Sequence, residues 1–219
     1  MTTLFPKTVT CSHCGEASEQ TTIGSTNRVG TPDLDLRPPP MERNTIDHWL
    51  QDCPRCGYVA SDISAVEEGL DGVLAGEDYR ELAMVAGPGR ARVVSAFRRR
   101  SLIDMARGNH AAAGSAFLCA AWVADDGRDT ATALACRRAA ADHLKIWLDS
   151  AERSIERRLQ LVDVLRRAGD FPAATRQAAI VTAAIDETSP LTPIIAYQKR
   201  LIAAQDVTCH TIEEAHEGK

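Results

Sequence analysis

Two Cys-x-x-Cys-Gly segments constrain this chain more than anything else in it: Cys11-Ser12-His13-Cys14-Gly15 and Cys53-Pro54-Arg55-Cys56-Gly57. A Cys-x-x-Cys turn places two sulfurs on one side of a tight loop. The glycine that follows lets the backbone turn so that amide N–H groups can point at the thiolates. Two such knuckles facing each other supply four sulfurs at about 2.3 Å from a tetrahedral Zn²⁺. Four thiolates select zinc over hard cations such as Mg²⁺ or Ca²⁺, and a closed set of four protein ligands implies a structural metal. One structural zinc ion on Cys11, Cys14, Cys53 and Cys56 is therefore expected. His13, inside the first knuckle, and His48, before the second, should stay out of its ligand shell. The 38 residues between Cys14 and Cys53 exceed the roughly 15–20 of a compact zinc site. A loop or hairpin should then fold between the knuckles. Free thiols, a redox pair and an iron–sulfur cluster are the competing readings. The redox reading lacks the βαβ setting of a thioredoxin-like motif, and nothing distinctive supports a cluster.

The chain has seven cysteines. An odd count with no secretory signal in Met1–Lys7 argues against a disulfide framework. Cys119, Cys136 and Cys209 read as small buried side chains in alanine-rich helical sequence. No stretch approaches the roughly 20 apolar residues of a membrane span, so a cytoplasmic location is expected. A net charge of −5 disfavours general nucleic-acid binding, which ordinarily needs excess Lys and Arg. Arg90, Arg92, Arg98, Arg99, Arg100 and Arg107 still form a local basic cluster. Of these, Arg92, Arg98, Arg99 and Arg100 are candidates for contact with an acidic partner or RNA. Few aromatics interleave with them, which weakens the nucleic-acid reading.

Composition changes near Ser61. Residues 1–61 hold both knuckles and the run Arg37-Pro38-Pro39-Pro40, which cannot be helix or central strand. Gly24 to Pro40 reads as an irregular or extended loop, and Thr45 to Asp52 as a short strand or turn. Residues 62–219 read as helical. A first helix is expected from Ser61 or Asp62 through Ile63, Val66 and Leu70, weakened by Gly69, Gly72 and Gly76. Gly87-Pro88-Gly89 is a break. Further helices are expected over about Arg92–Arg107, His110–Ala124, Thr130–Asp149, Glu152–Ala168, from Pro172 through Ile185, and Thr192–Gln205. The tail from Cys209 should fray. Gly108-Asn109-His110-x-x-Ala113 and Gly169-Asp170-Phe171-x-x-Ala174 look alike and resemble the turn of a tetratricopeptide repeat. They lie 61 positions apart, whereas that repeat has a period of about 34 residues. A generic antiparallel helical bundle is the alternative. The expected fold class is mainly α: a small N-terminal four-cysteine, zinc-ribbon-like lobe followed by an array of helical hairpins. Trp122 and Trp147 should anchor its core.

Asp33-Leu34-Asp35 places two carboxylates just before Arg37. They could bind a second cation, form ion pairs with Arg37 or Arg43, or sit in a solvated loop. No Ser/His/Asp set, His-Glu-x-x-His helix or phosphate loop accompanies them.

Cys11-Ser-His-Cys14, Asp33-Leu-Asp35, Trp49 and Cys53-Pro-Arg-Cys56-Gly57-Tyr58-Val59-Ala60 together resemble the bacterial family called Domain of Unknown Function 2225. The specific part of the resemblance spans Cys11 to Ala60. It implies a zinc-ribbon start followed by tetratricopeptide-like helices, and it implies no activity. The leading functional expectation is a non-catalytic adaptor that offers a helical surface to a protein or peptide. The alternatives are a thiol-redox or metal-dependent enzyme using the Cys pairs or the Asp33/Asp35 loop, and a nucleic-acid binder using the ribbon and the arginine cluster.

Overall fold

A computed structural model describes residues 2–85, 89–150 and 154–217. The expected break at Gly87-Pro88 and the expected helix start at Glu152 lie outside them. The chain opens with an antiparallel hairpin, β1 (Thr3–Thr10) and β2 (Ala17–Ser25), and the first knuckle is its tip. After a loop come a short helix α1 (Pro40–Arg43) and a 3-10 turn over Ile46–His48. A second, two-residue hairpin, β3 (Gln51–Asp52) and β4 (Val59–Ala60), carries the second knuckle. The 38-residue stretch between the pairs thus holds the second strand of one hairpin, a long loop, α1, the 3-10 turn and the first strand of the other. Pro6 lies within β1, which among the described residues pairs only with β2. Lacking an N–H, proline suits such an edge strand and blocks pairing with another chain.

The rest is helical: α2 (Leu70–Leu74), α3 (Glu77–Ala83), α4 (Arg90–Ala106), α5 (His110–Asp126), α6 (Thr130–Ser150), α7 (Ile155–Arg167), α8 (Phe171–Ala184), α9 (Thr192–Ala203) and α10 (Ile212–Glu217). With α1 these make ten α-helices among the described residues. From α4 to α9 each helix packs on the next. Helices α5 and α6 meet closely at Gly114, where a Cβ would stand 3.0 Å from Leu144 Cγ and 3.2 Å from the Ala140 carbonyl oxygen. A side chain there would force Leu144 or the backbone of α6 to give by a few tenths of an ångström, so glycine lets the two helices sit close.

The two turns that look alike in sequence are alike in structure. Asn109 N–H donates to the Asp104 carbonyl and Asp170 N–H to the Leu165 carbonyl, five residues back, at 2.9 and 3.0 Å. The residue before each is left-handed, Gly108 at φ 69° and Gly169 at φ 75°. This is the Schellman ending of a helix. The same bond recurs at Asp129 to Ala124 and at Asp206 to Leu201, with Arg128 and Gln205 in the left-handed position. Asn109, Asp129 and Asp170 then accept a backbone N–H three residues on, and Ala113, Ala133 and Ala174, four residues on, are buried. Each of these three turns therefore ends one helix, starts another and sets a small residue where the two must meet.

The helix expected from Ser61 or Asp62 does not form. Asp62 Oδ1 accepts from the Ser64 N–H and hydroxyl at 2.9 and 2.6 Å, a local turn that competes with helix. Ile63 is buried, Val66 faces solvent, and Gly69 at φ 77° precedes the real start at Leu70. Nor does the tail fray at Cys209. Leu34 N–H donates to the His210 carbonyl at 2.9 Å, and Ile212 N–H to that of Pro32 at 3.0 Å. Helix α10 then opens on a capping box, with Glu214 N–H on the Thr211 hydroxyl and Thr211 N–H on Glu214 Oε1.

Three apolar clusters among the described residues hold the fold. One joins α4–α7 to Ile46, Trp49 and Leu50. A second wraps the knuckles with Tyr58, Val59, Ile63, Leu70, Tyr79 and Ile103, and so includes residues on both sides of residue 61. The third gathers α7–α10 around Leu34. No helix of the described residues is long and apolar enough to cross a membrane.

Candidate metal centre

The knuckles have one backbone plan. Gly15 N–H donates to the Cys11 carbonyl and Gly57 N–H to that of Cys53, both at 2.9 Å, while Cys11 N–H donates to Glu16 and Cys53 N–H to Tyr58 at 2.8 and 2.9 Å. Gly15 and Gly57 sit at φ 75° and 72°, where a side chain is strained. Each glycine thus closes its turn and brings the next amides round toward sulfur.

Facing each other, the knuckles place Cys11 Sγ 3.8 Å from Cys56 Sγ and Cys14 Sγ 3.6 Å from Cys53 Sγ. All four Sγ atoms lie within 4.8 Å of one another, and the set could hold a metal ion. Cys11 and Cys53 are buried, and Cys14 and Cys56 are half-buried. Burial pushes the Cys53 and Cys56 thiols above the usual range, although nearby backbone N–H groups pull the other way. At Cys14 burial also pushes upward, but the Glu16 N–H and the neighbouring sulfurs outweigh it and hold the thiol below its ordinary value. Without a cation, such a cluster cannot carry four negative charges side by side. Neither His13 nor His48 joins it; His13 Nδ1 lies 3.8 Å from Asp71.

Arg99, a candidate for contact with an acidic partner or RNA, is instead buried against the second knuckle. Arg99, 3 % exposed, donates to both carboxylate oxygens of Asp52 at 3.1 and 2.7 Å and to the Gly57 carbonyl at 2.6 Å. The Tyr79 hydroxyl donates to the same carbonyl at 2.8 Å. Asp52 was legible only as the residue before Cys53, and Arg99 only as one of a basic run. Of that run, Arg92 reaches Asp52 at 3.4 Å, Arg100 pairs with Asp104 and Glu67, and Arg98 is exposed.

Asp33 and Asp35 are buried rather than solvated. Asp33 accepts from Arg43 at 2.7 Å and from the Cys209 thiol at 3.2 Å. Asp35 accepts from Trp122 Nε1 at 2.9 Å, Arg167 at 2.7 Å and the Arg37 N–H at 3.2 Å. The Arg37 guanidinium turns instead to Asp126. Arg167 also bonds Asp125, which pairs with Arg137. Burial pushes the Asp125 carboxyl up, but Arg137, Arg167 and Arg37 together hold it below the usual carboxylate range. Every oxygen of the Asp33/Asp35 pair thus has a partner from the protein. The two carboxylates staple the long loop to α5, α7 and the tail. His110 and His143 meet with Nδ1 atoms 2.8 Å apart and stacked rings.

Comparison of the chain with family models, with curated proteins and with solved structures returned no match.

Proposed function

We propose that Cys11, Cys14, Cys53 and Cys56 hold one structural zinc ion. The observation that carries this reading is the spacing of the sulfurs. A tetrahedron with metal–sulfur arms of about 2.3 Å has edges of about 3.8 Å, and the two cross-knuckle distances are 3.8 and 3.6 Å. Soft thiolates suit zinc, and four protein ligands leave no site for substrate. Zinc would lock the two hairpins together and replace the protons that burial retains on Cys53 and Cys56. Native mass spectrometry of the protein expressed with zinc available should find one zinc at neutral pH. Occupancy should fall as the pH is lowered, because protons compete for the same sulfurs. A mass corresponding to iron, or an oxidised pair two protons lighter, would overturn the reading in favour of redox chemistry.

Around that centre we read an adaptor with a tetratricopeptide-like array, in line with the resemblance to the Domain of Unknown Function 2225 family. The recurring turn with its buried alanine supports the array. The partner is a protein or peptide, and an open apolar cleft of ≈ 510 Å³ between α8 and α9, lined by Ala179, Thr182 and Ile202, suits one. Affinity capture from bacterial lysate should recover a partner that Ala179→Arg, at an exposed position, no longer retains. Recovery of no partner, or one indifferent to that change, would count against the adaptor.

A further inference from the structure

The two knuckles share a backbone plan but not a support. The second is gripped from both flanks by one buried side chain. Arg99 on α4 holds Asp52, the residue before Cys53, through two hydrogen bonds, and the carbonyl of Gly57, the residue after Cys56, through a third. Tyr79 on α3 adds a second donor to that carbonyl, and the Arg99 guanidinium lies over its ring, 5.9 Å from the centroid. All of these contacts run to the helical body, and none involves a sulfur. The first knuckle is the tip of a hairpin whose β1 strand is exposed at every residue but Val9. Ser12 ties it to the loop ahead of α2, with the Ser12 N–H on the Ile63 carbonyl and the Ser12 hydroxyl on that of Ala65, both at 2.8 Å. Farther along, the Gln20 side chain bonds the Asp52 backbone at 3.2 Å.

We propose that Arg99 is the positioning residue of the metal centre. It keeps the second knuckle formed in the absence of metal, so that a metal ion loads first onto Cys53 and Cys56 and then closes the site by capturing Cys11 and Cys14. The inference rests on the four thiols being the ligands. A two-step closure follows from the energetics of the supports. Hydrogen bonds to a buried charged group are among the stronger ones a fold makes, whereas an exposed two-stranded hairpin is marginal by itself. Groups behind the ligands orient them, and losing such a group commonly costs about 10–100-fold in metal affinity.

Hydrogen exchange by mass spectrometry on the full chain, stripped of metal with a chelator, tests this directly. In the wild type, amides of residues 53–58 should exchange more slowly than those of residues 11–16, and added zinc should slow both. In Arg99→Met the metal-free protection of residues 53–58 should vanish. Zinc release to a chromophoric chelator should speed up about tenfold while the far-ultraviolet helical signal is kept, and Arg99→Lys should recover part of the loss. Equal exchange of the two knuckles in metal-free wild type would overturn the proposal, as would an Arg99→Met protein with unchanged protection and release. Should Arg99→Met fail to fold, Tyr79→Phe removes one donor from the Gly57 carbonyl and leaves the ion pair. It should speed exchange at residues 53–58 alone, and equal effects on both knuckles would overturn the proposal. A wild type that binds no zinc fails the zinc reading by itself, since the metal-free asymmetry is measured separately.

Discussion

Cys53→Ser should abolish metal binding and unfold the knuckle region while helices α4–α9 stay formed. Cys53 is 1 % exposed, and its sulfur faces Cys14 across the site. Serine there offers a hard oxygen in place of a soft thiolate and breaks the closed set. The hairpin β1–β2 has few buried residues of its own, and metal binding supplies about 10–16 kcal/mol in small zinc-dependent lobes, more than such a hairpin can replace. The helices from α4 to α9 keep two apolar clusters without a sulfur ligand. Native mass spectrometry should therefore show the metal lost, and limited proteolysis should cut within residues 3–65. Circular dichroism should keep most of the helical signal. A variant as resistant to proteolysis as the wild type would show that the lobe does not need the centre.

The second large effect is expected at Asp35, far from the sulfurs. Its carboxylate is fully buried and joins Trp122, Arg167 and the loop backbone. Asp35→Ala leaves the Arg167 guanidinium, 7 % exposed, short of its buried counter-charge and the Trp122 N–H without an acceptor. Removing one partner of a buried ion pair costs about 3–5 kcal/mol. Asp35→Asn keeps an acceptor for the indole and should cost less. Urea denaturation followed by tryptophan fluorescence measures both. Loss of under about 1 kcal/mol in the alanine variant, the size of an exposed pair, would show that solvent reaches the hub.

These two sites differ in how readily they could be read in advance. The knuckles are local: four cysteines, two glycines and a fixed short spacing specify each turn within a few residues, so the sulfur set is visible before any folding. The helix turns at Gly108 and Gly169 are visible for the same reason, since glycine marks the left-handed position. The matching turns at Arg128 and Gln205 carry no such mark, because packing of the flanking helices imposes the conformation on residues that do not favour it. The expectation of a frayed tail fails although Thr211-Ile212-Glu213-Glu214 spells a capping box; what orders the tail is pairing with Pro32 and Leu34, far away along the chain.

Long-range electrostatics were invisible for a related reason. Nothing near Asp35 in the sequence points to Arg167, and nothing near Arg99 points to Gly57. Charged side chains look solvated until the fold removes water from around them, and only then does each demand a particular partner. Residue type and short spacing settled the four-cysteine cluster, the mainly helical character and most helix bounds, because turn geometry and apolar periodicity act over a few bonds. Which carboxylates are buried, which arginine grips the second knuckle and where the chain's end docks were decided by the tertiary structure, because desolvation and charge pairing depend on what three-dimensional packing brings together.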